Sequence, residues 1–169
     1  MDTREAILQI LSRAYQIEVD GYTFYSMTAE RAQQPAVQEL FGKLAQDEVQ
    51  HQAFLRQVAN HYDAEGVAAF NQVGKAPELK AFADKVFGDR FREQAEGAAF
   101  EMAALSVGMT LEKNAVAYFS GAATSATEPE VQHFYRFLSD WEQQHLNALA
   151  SLTEAIRGDF WEKSGFAPY

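Results

Sequence analysis

The sequence predicts an all-α protein, a four-helix bundle of two helical hairpins joined by a long crossover connection. Three observations predict it. The chain between its four prolines is rich in the strong helix formers Ala, Glu, Gln and Leu. Apolar residues recur there every three or four positions, and no segment alternates as a strand does. Its 169 residues suffice for one domain with a buried core, and we treat 1–169 as a single domain.

The helices follow from this periodicity and from the proline and glycine positions. Apolar spacing predicts a first helix from Thr3 to about Ala32. Pro35 suits the first turn of a second helix, which should end near His61, and two glycines mark a loop over 63–75. The remaining predicted helices are a short one at 77–87, a long one from about Arg90 to Ala123, and a fourth from Pro129 to about Arg157.

The connection over 62–90 has the length that a bundle with one crossover needs. The tail over 158–169 holds the aromatic residues Phe160, Trp161, Phe166 and Tyr169. We expect this tail to dock on the bundle or on a partner subunit, because such a composition is atypical of disorder.

Composition excludes several classes of function. The net charge of −10 argues against nucleic acid or an anionic membrane surface as a partner. The absence of cysteine excludes disulfides, thiol nucleophiles and Cys-ligated metals. No apolar stretch reaches the ~20 residues that a membrane span needs, and the acidic N-terminus does not resemble a signal peptide. We therefore expect a cytoplasmic protein.

The chain contains an internal repeat. Residues 18–51 align without a gap on residues 112–145. The identical pairs with an evident role are Glu18/Glu112, Pro35/Pro129, Val37/Val131, Leu44/Leu138, Glu48/Glu142 and His51/His145. Chance similarity between amphipathic hairpins explains apolar matches better than matches of Glu and His in one register. The repeat predicts two hairpins related by a pseudo-two-fold axis.

Each hairpin offers one Glu on its first helix and a Glu-x-x-His on its second. Residues at i and i+3 share a helix face, so each such Glu and His can converge on one ion. At ~1.5 Å rise per residue, all four glutamates stand ~20 Å from their hairpin tips. The six candidate metal ligands are Glu18, Glu48, His51, Glu112, Glu142 and His145.

Four bare carboxylates could not be buried without compensation, whereas two divalent cations would neutralise them. Oxygen-rich ligation with two imidazoles suits iron or manganese. Bridging carboxylates would hold two metal ions a few ångströms apart, with positions open for dioxygen or peroxide. A further Glu-x-x-His, Glu130 and His133, lies only ~6 Å from its hairpin tip and is interpreted as accidental.

Other polar residues near these positions are candidates for hydrogen bonds to the ligands. Asp47 and Asp140 lie on the ligand helices and could accept the second N–H of a metal-bound histidine, or could be solvated. Tyr22, Tyr25 and Tyr118 fall within two turns of ligands and could hydrogen-bond a carboxylate, relay an electron, or only pack in the core.

Two glycines lie close to candidate ligands, and three further glutamates lie outside the ligand set. Gly21 and Gly108 lie within a turn of Glu18 and Glu112, where close helix approach, a local bulge or substrate access are all open explanations. The acidic residues Glu93, Glu96 and Glu101 are interpreted as a solvated face that could funnel Fe²⁺ inward.

These motifs together resemble the rubrerythrin branch of the ferritin-like di-iron carboxylate proteins. The resemblance covers about residues 5 to 157. It rests on Glu18 followed by Phe24-Tyr25, the run from Asp47 to His51, Glu112 followed by Tyr118-Phe119, and the run from Glu142 to His145. It implies a ferritin-like bundle holding two Fe ions, with Mn or mixed Mn/Fe as alternatives.

The resemblance also implies a function. It indicates an oxidoreductase that reduces hydrogen peroxide, or O₂, at a carboxylate-bridged di-iron site with electrons from an external donor. It further implies a homodimer. Two alternatives stay open: a ferroxidase that stores or detoxifies iron, and a helical interaction module in which metals only staple the bundle.

The sequence departs from that family in two places. Many rubrerythrins carry a rubredoxin domain with Cys-ligated iron, and these 169 residues hold no cysteine. Rubrerythrins also resemble one another in a further Glu three residues after the third-helix ligand. That position is Ala115 here, and its repeat counterpart is Gly21. Either room is left over the metals, or the helices pack more closely.

Overall fold

The computed structural model describes residues 3–72 and 99–164. These residues form four α-helices and one 3₁₀ helix, with no strand among them, which confirms the all-α prediction. Helices α1 and α2 form one antiparallel hairpin, and α3 and α4 form the other. The elements are α1 (Thr3–Arg31), α2 (Pro35–Glu65), the 3₁₀ helix (Gly66–Gln72), α3 (Ala99–Ser125) and α4 (Pro129–Ser164).

The observed element bounds differ from the predicted ones in two places. Helix α2 continues to Glu65, where Gly66 ends it with φ +62° and donates its N–H to the Tyr62 carbonyl. The 3₁₀ helix follows where we predicted a loop, and it buries Phe70 against the bundle. Helix α4 continues to Ser164, into the predicted aromatic tail. The predicted short helix at 77–87 and the last five residues lie outside the described part.

The two hairpin turns are built alike. At the first, the Gln38 side-chain amide donates to the Ala32 carbonyl at 2.6 Å. At the second, Gln132 donates to the Ala126 carbonyl at 2.8 Å. Each bond satisfies a carbonyl at the end of the preceding helix. These residues are repeat counterparts, so the internal symmetry extends to the turns.

Glu101 corrects one sequence-based interpretation. Its side chain is buried rather than solvated, and Oε1 accepts the backbone N–H of Gln33 at 3.1 Å. A carboxylate on α3 thereby satisfies a backbone donor exposed at the α1–α2 turn. Glu93 and Glu96 lie outside the described residues.

The apolar core consists of two clusters with a polar layer between them. One cluster, on the side of the 3₁₀ helix, includes Phe70, Phe119 and Phe134. The other, on the side of the α1–α2 turn, includes Phe41 and Leu149. Along every helix the candidate ligands fall between residues of these clusters, so apolar packing on both sides holds the ligand-bearing segments level. No helix in the described part is apolar over a length that would cross a bilayer.

Candidate metal centre

The structure brings all six candidate ligands together in the polar layer, and none is more than 2% exposed. They form two groups of four whose ligand atoms lie within 4.8 Å of one another. The first group is Glu18, Glu48, His51 and Glu142; the second is Glu48, Glu112, Glu142 and His145. Glu48 and Glu142 thus belong to both groups, while each group has its own histidine and its own third glutamate.

Distances between the ligand atoms show the pseudo-two-fold arrangement. His51 Nδ1 lies 2.9 Å from Glu18 Oε2 and 3.3 Å from Glu48 Oε2. The corresponding contacts in the second hairpin are similar, since His145 Nδ1 lies 3.4 Å from Glu112 Oε1 and 3.7 Å from Glu142 Oε2. The two imidazole rings are nearly parallel, with centroids 5.0 Å apart. His133 of the other Glu-x-x-His is exposed and lies in neither group.

The pKa values of several candidate ligands are shifted so that the protonated forms are favoured in the metal-free site. Burial, with the nearby Glu48 carboxylate, raises the pKa of Glu18 from 4.5 to about 8. Burial and the other glutamates raise the pKa of Glu142 well above its usual value. Burial acts to lower the pKa of His145, but Glu112 and Glu48 outweigh it and raise that pKa. Burial acts to raise the pKa of Glu112, but the charge of His145 and the hydrogen bond between the two side chains outweigh it and lower that pKa.

The donor set fits a pair of divalent metal ions. Several ligand atoms are buried without a hydrogen-bond partner, which is costly for polar groups shielded from water. A cation in each group would satisfy the carboxylate oxygens and one ring nitrogen of a histidine, and carboxylates with imidazole are ligands of iron and manganese. The unpartnered ligand atoms are Glu18 Oε1, Glu48 Oε2, His51 Nε2, Glu142 Oε1 and both ring nitrogens of His145.

Tyr25 is the candidate tyrosine that contacts a ligand. Its buried hydroxyl donates to Glu112 Oε1 across the α1–α3 interface. Burial, with the charge of Glu112, raises the pKa of Tyr25 well above 10, so the phenol keeps its proton and remains a donor. Tyr22 is 41% exposed, and Tyr118 is half-buried at the wall of a cavity that leads to the site.

The two aspartates lie in different environments. Asp47 is buried, and its Oδ1 lies 2.5 Å from Lys43 Nζ. Asp140 is exposed. No hydrogen bond between either aspartate and a histidine of the site is found in the described part of the chain. Asp47 instead pairs with the half-buried Lys43 at i and i+4 on the same helix, one residue before Glu48.

Sequence reasoning missed the contact between Trp141 and His51. The two rings stack at 3.8 Å between centroids with an interplanar angle of 17°. This contact holds the imidazole plane in place from the α4 side. The adjacency of Trp141 to Glu142 was the available signal, but its repeat counterpart is Asp47, so the repeat gave no indication of a shared role.

Gly21 permits a close approach of α1 to a shared ligand. A Cβ at this position would lie 2.7 Å from Glu48 Oε1 and 3.0 Å from Glu48 Cδ. Such a contact would displace the carboxylate from its place between the two groups. Of the three explanations left open for Gly21, close approach is therefore one that the structure supports.

We expect Gly21→Ala to weaken metal binding about 10–100-fold, the loss seen when groups that orient ligands are changed. Titration of metal-free protein with Mn²⁺ would measure it. Gly42→Ala is the matched control, since a Cβ there meets nothing within 4 Å. The control should bind metal normally and gain up to ~1 kcal/mol from helix propensity. Equal affinities for both variants would contradict the positioning role.

We also expect metal uptake to release protons. The raised pKa values of Glu18, Glu142 and His145 favour the protonated forms of these side chains, so Mn²⁺ binding near pH 7 should release at least the proton of Glu18, whose pKa is about 8. Release should fall toward about pH 9, because Glu18, with its pKa of about 8, is then ionised beforehand. An indicator dye in weak buffer measures the number of protons released, and a number that does not change with pH would contradict this prediction.

The raised pKa of Glu18 also affects stability. Between about pH 4.5 and about pH 8, Glu18 keeps its proton in the metal-free native state and loses it in the unfolded chain, so the free energy of unfolding falls as pH rises through this range.

The structure also shows that room is left beside the ligands. A cavity of about 190 Å³ between α1 and α3 reaches Glu48, Glu112 and Glu142, and both Gly21 and Ala115 line it. The small residues at these two repeat positions leave space for it.

The chain matches the family model described as Rubrerythrin over residues 9–153. The match includes all six candidate ligands and most of both hairpins. No curated protein and no solved structure gives a significant match.

Proposed function

Because the chain belongs to the rubrerythrin family, we propose that it reduces hydrogen peroxide, or O₂, at a carboxylate-bridged pair of iron ions. We further propose that a separate donor returns the electrons and that the protein acts as a homodimer. The observation that carries the proposal is the sharing of Glu48 and Glu142 between two ligand groups. Two shared carboxylates would hold two ions close together, as a two-electron reduction requires, whereas a purely structural staple would need no shared pair.

Two ferrous ions in this site would supply one electron each, so that H₂O₂ and two protons give two molecules of water. Four glutamates balance the +4 charge of such a pair. The apolar clusters shield the ligand layer from water on two sides, which strengthens the electrostatic interactions within it.

The surrounding side chains orient the ligands. Tyr25 donates a hydrogen bond to Glu112 and restricts the rotation of that carboxylate. Trp141 packs flat on His51 and fixes its ring plane. Gly21 leaves the space that the Glu48 carboxylate fills. The cavity between α1 and α3 is a route by which peroxide can reach the shared carboxylates.

The test begins with metal content per chain in protein purified without added metal. The iron-loaded, anaerobically reduced protein is then mixed with H₂O₂ or with O₂, and iron oxidation is followed by stopped-flow absorbance. We expect about two irons per chain and faster oxidation by peroxide. Zinc-loaded protein is the control for changes that do not involve electron transfer.

Other outcomes would replace this proposal with one of its alternatives. Faster oxidation by O₂, with iron accumulating beyond two per chain, would establish a ferroxidase. Metal that raises the melting temperature while neither oxidant reacts would leave a structural role.

A further inference from the structure

The cavity between α1 and α3 offers more than a path for a molecule as small as H₂O₂. Its volume is about 190 Å³. A single water requires ~10–15 Å³ on this measure, and an apolar cavity of ~150 Å³ accommodates benzene. The cavity can therefore hold a molecule with several carbon atoms next to the ligand layer.

The lining changes in character from the surface to the interior. Exposed polar residues stand at the outer end: Arg13, Asp20 and Asn114. The walls further in are apolar, with Ile17 and Leu111 half-buried and Ala115 buried. The inner end consists of the carboxylates of Glu48, Glu112 and Glu142. A molecule with one polar end and one apolar body matches this gradient when its polar end points inward.

The charges favour an uncharged molecule. Arg13 and Asp20 carry opposite charges at the outer end, so neither sign of ligand gains a net attraction there. The carboxylates at the inner end repel an anion, and two bound divalent ions would only neutralise the four glutamates. Apolar walls penalise a charge of either sign.

We propose that this cavity binds small uncharged organic hydroperoxides, with the alkyl group against Ile17, Leu111 and Ala115 and the –OOH group at the shared carboxylates. This inference rests on the proposed function. Two ferrous ions held by the six ligands would supply one electron each as the O–O bond breaks. Two protons from solvent complete the products, an alcohol and water, and the external donor restores the electrons.

Binding is tested separately from turnover. Zinc-loaded protein cannot supply electrons, so tert-butyl alcohol can serve as an inert analogue of the hydroperoxide and its binding can be measured by saturation-transfer NMR. We expect binding to the wild type, loss of binding in Ala115→Leu, whose larger side chain fills the cavity, and retention in Ala117→Leu. Ala117 is the matched control because it is exposed on the same helix and does not line the cavity.

Turnover is then compared for two oxidants in the iron-loaded proteins. Ala115→Leu should slow oxidation by tert-butyl hydroperoxide about tenfold or more relative to oxidation by H₂O₂, a discrimination that hydrophobic pockets achieve. Ala117→Leu should leave the ratio of the two rates unchanged. If Ala115→Leu fails to fold by circular dichroism, Ile17→Phe narrows the same cavity from the α1 side and replaces it.

The results separate this inference from the function on which it rests. Wild-type protein that reduces H₂O₂ but neither binds the alcohol nor reduces the organic hydroperoxide would overturn the inference alone. An equal fall for both oxidants in Ala115→Leu would also overturn it. Iron-loaded protein that reduces neither oxidant would overturn the proposed function, while alcohol binding that is lost in Ala115→Leu would still identify the cavity as a site for small organic molecules.

Discussion

Glu142→Ala is expected to abolish the binding of both metal ions, whereas Glu18→Ala should leave one. Glu142 belongs to both ligand groups, so its loss removes an oxygen ligand from each ion. Glu18 belongs to one group, and the second group keeps Glu48, Glu112, Glu142 and His145 in its absence. Metal content after dialysis against a weak chelator should fall from about two ions per chain to near none in the first variant and to about one in the second.

Glu130→Ala is the matched control for these variants. It removes a glutamate from the other Glu-x-x-His of α4, which lies in neither ligand group, and should leave the metal content unchanged. Metal-free Glu142→Ala should not melt below the metal-free wild type, because the substitution removes a buried carboxyl whose pKa burial has raised. Equal metal contents in Glu142→Ala and Glu18→Ala would show that Glu142 is not shared.

Phe134→Ala is expected to cost about 3–5 kcal/mol of unfolding free energy, the usual range for truncating a fully buried phenylalanine. Its ring is 0% exposed and lies 4.7 Å from the ring of Phe70 and 6.2 Å from that of Phe54. The substitution therefore opens a cavity where α4 meets both α2 and the 3₁₀ helix.

Urea denaturation of metal-free protein, followed by circular dichroism, measures this loss without a contribution from bound metal. Met27→Ala is the control, because Met27 is 45% exposed and should change stability by no more than ~0.5 kcal/mol. A loss below ~1.5 kcal/mol in Phe134→Ala would mean that the 3₁₀ helix and α2 can collapse into the vacated space.

The convergence of the six candidate ligands could be predicted because it depends on helix rise and residue spacing, which are regular. Helix rise and the i, i+3 spacing bring Glu48 beside His51, and the repeat places the second hairpin's residues at the same level. Which glutamates are shared could not be predicted in this way. That property depends on side-chain torsions and on how closely the helices approach, as the contact between Gly21 and Glu48 illustrates.

Contacts that differ between the two hairpins could not be predicted from the sequence either. Trp141 packs on His51, while its repeat counterpart Asp47 pairs with Lys43. Glu101 accepts a hydrogen bond from Gln33, 68 positions away, and nothing local marks it as buried. The 3₁₀ helix begins at Gly66, a residue whose sequence signal is a turn, and its apolar residues are too few to show a period.

The polar layer between two apolar clusters has a consequence for the register of the helices. If one helix slid along its neighbours by a single turn, ~5.4 Å, its carboxylate would move out of the ligand layer and against apolar side chains. An apolar residue would take its place among the glutamates and histidines. An all-apolar bundle would tolerate such slippage far better, since leucine packs against leucine in many alignments. The same six side chains that can hold two ions therefore also select one alignment of four helices, and bound metal would strengthen that selection.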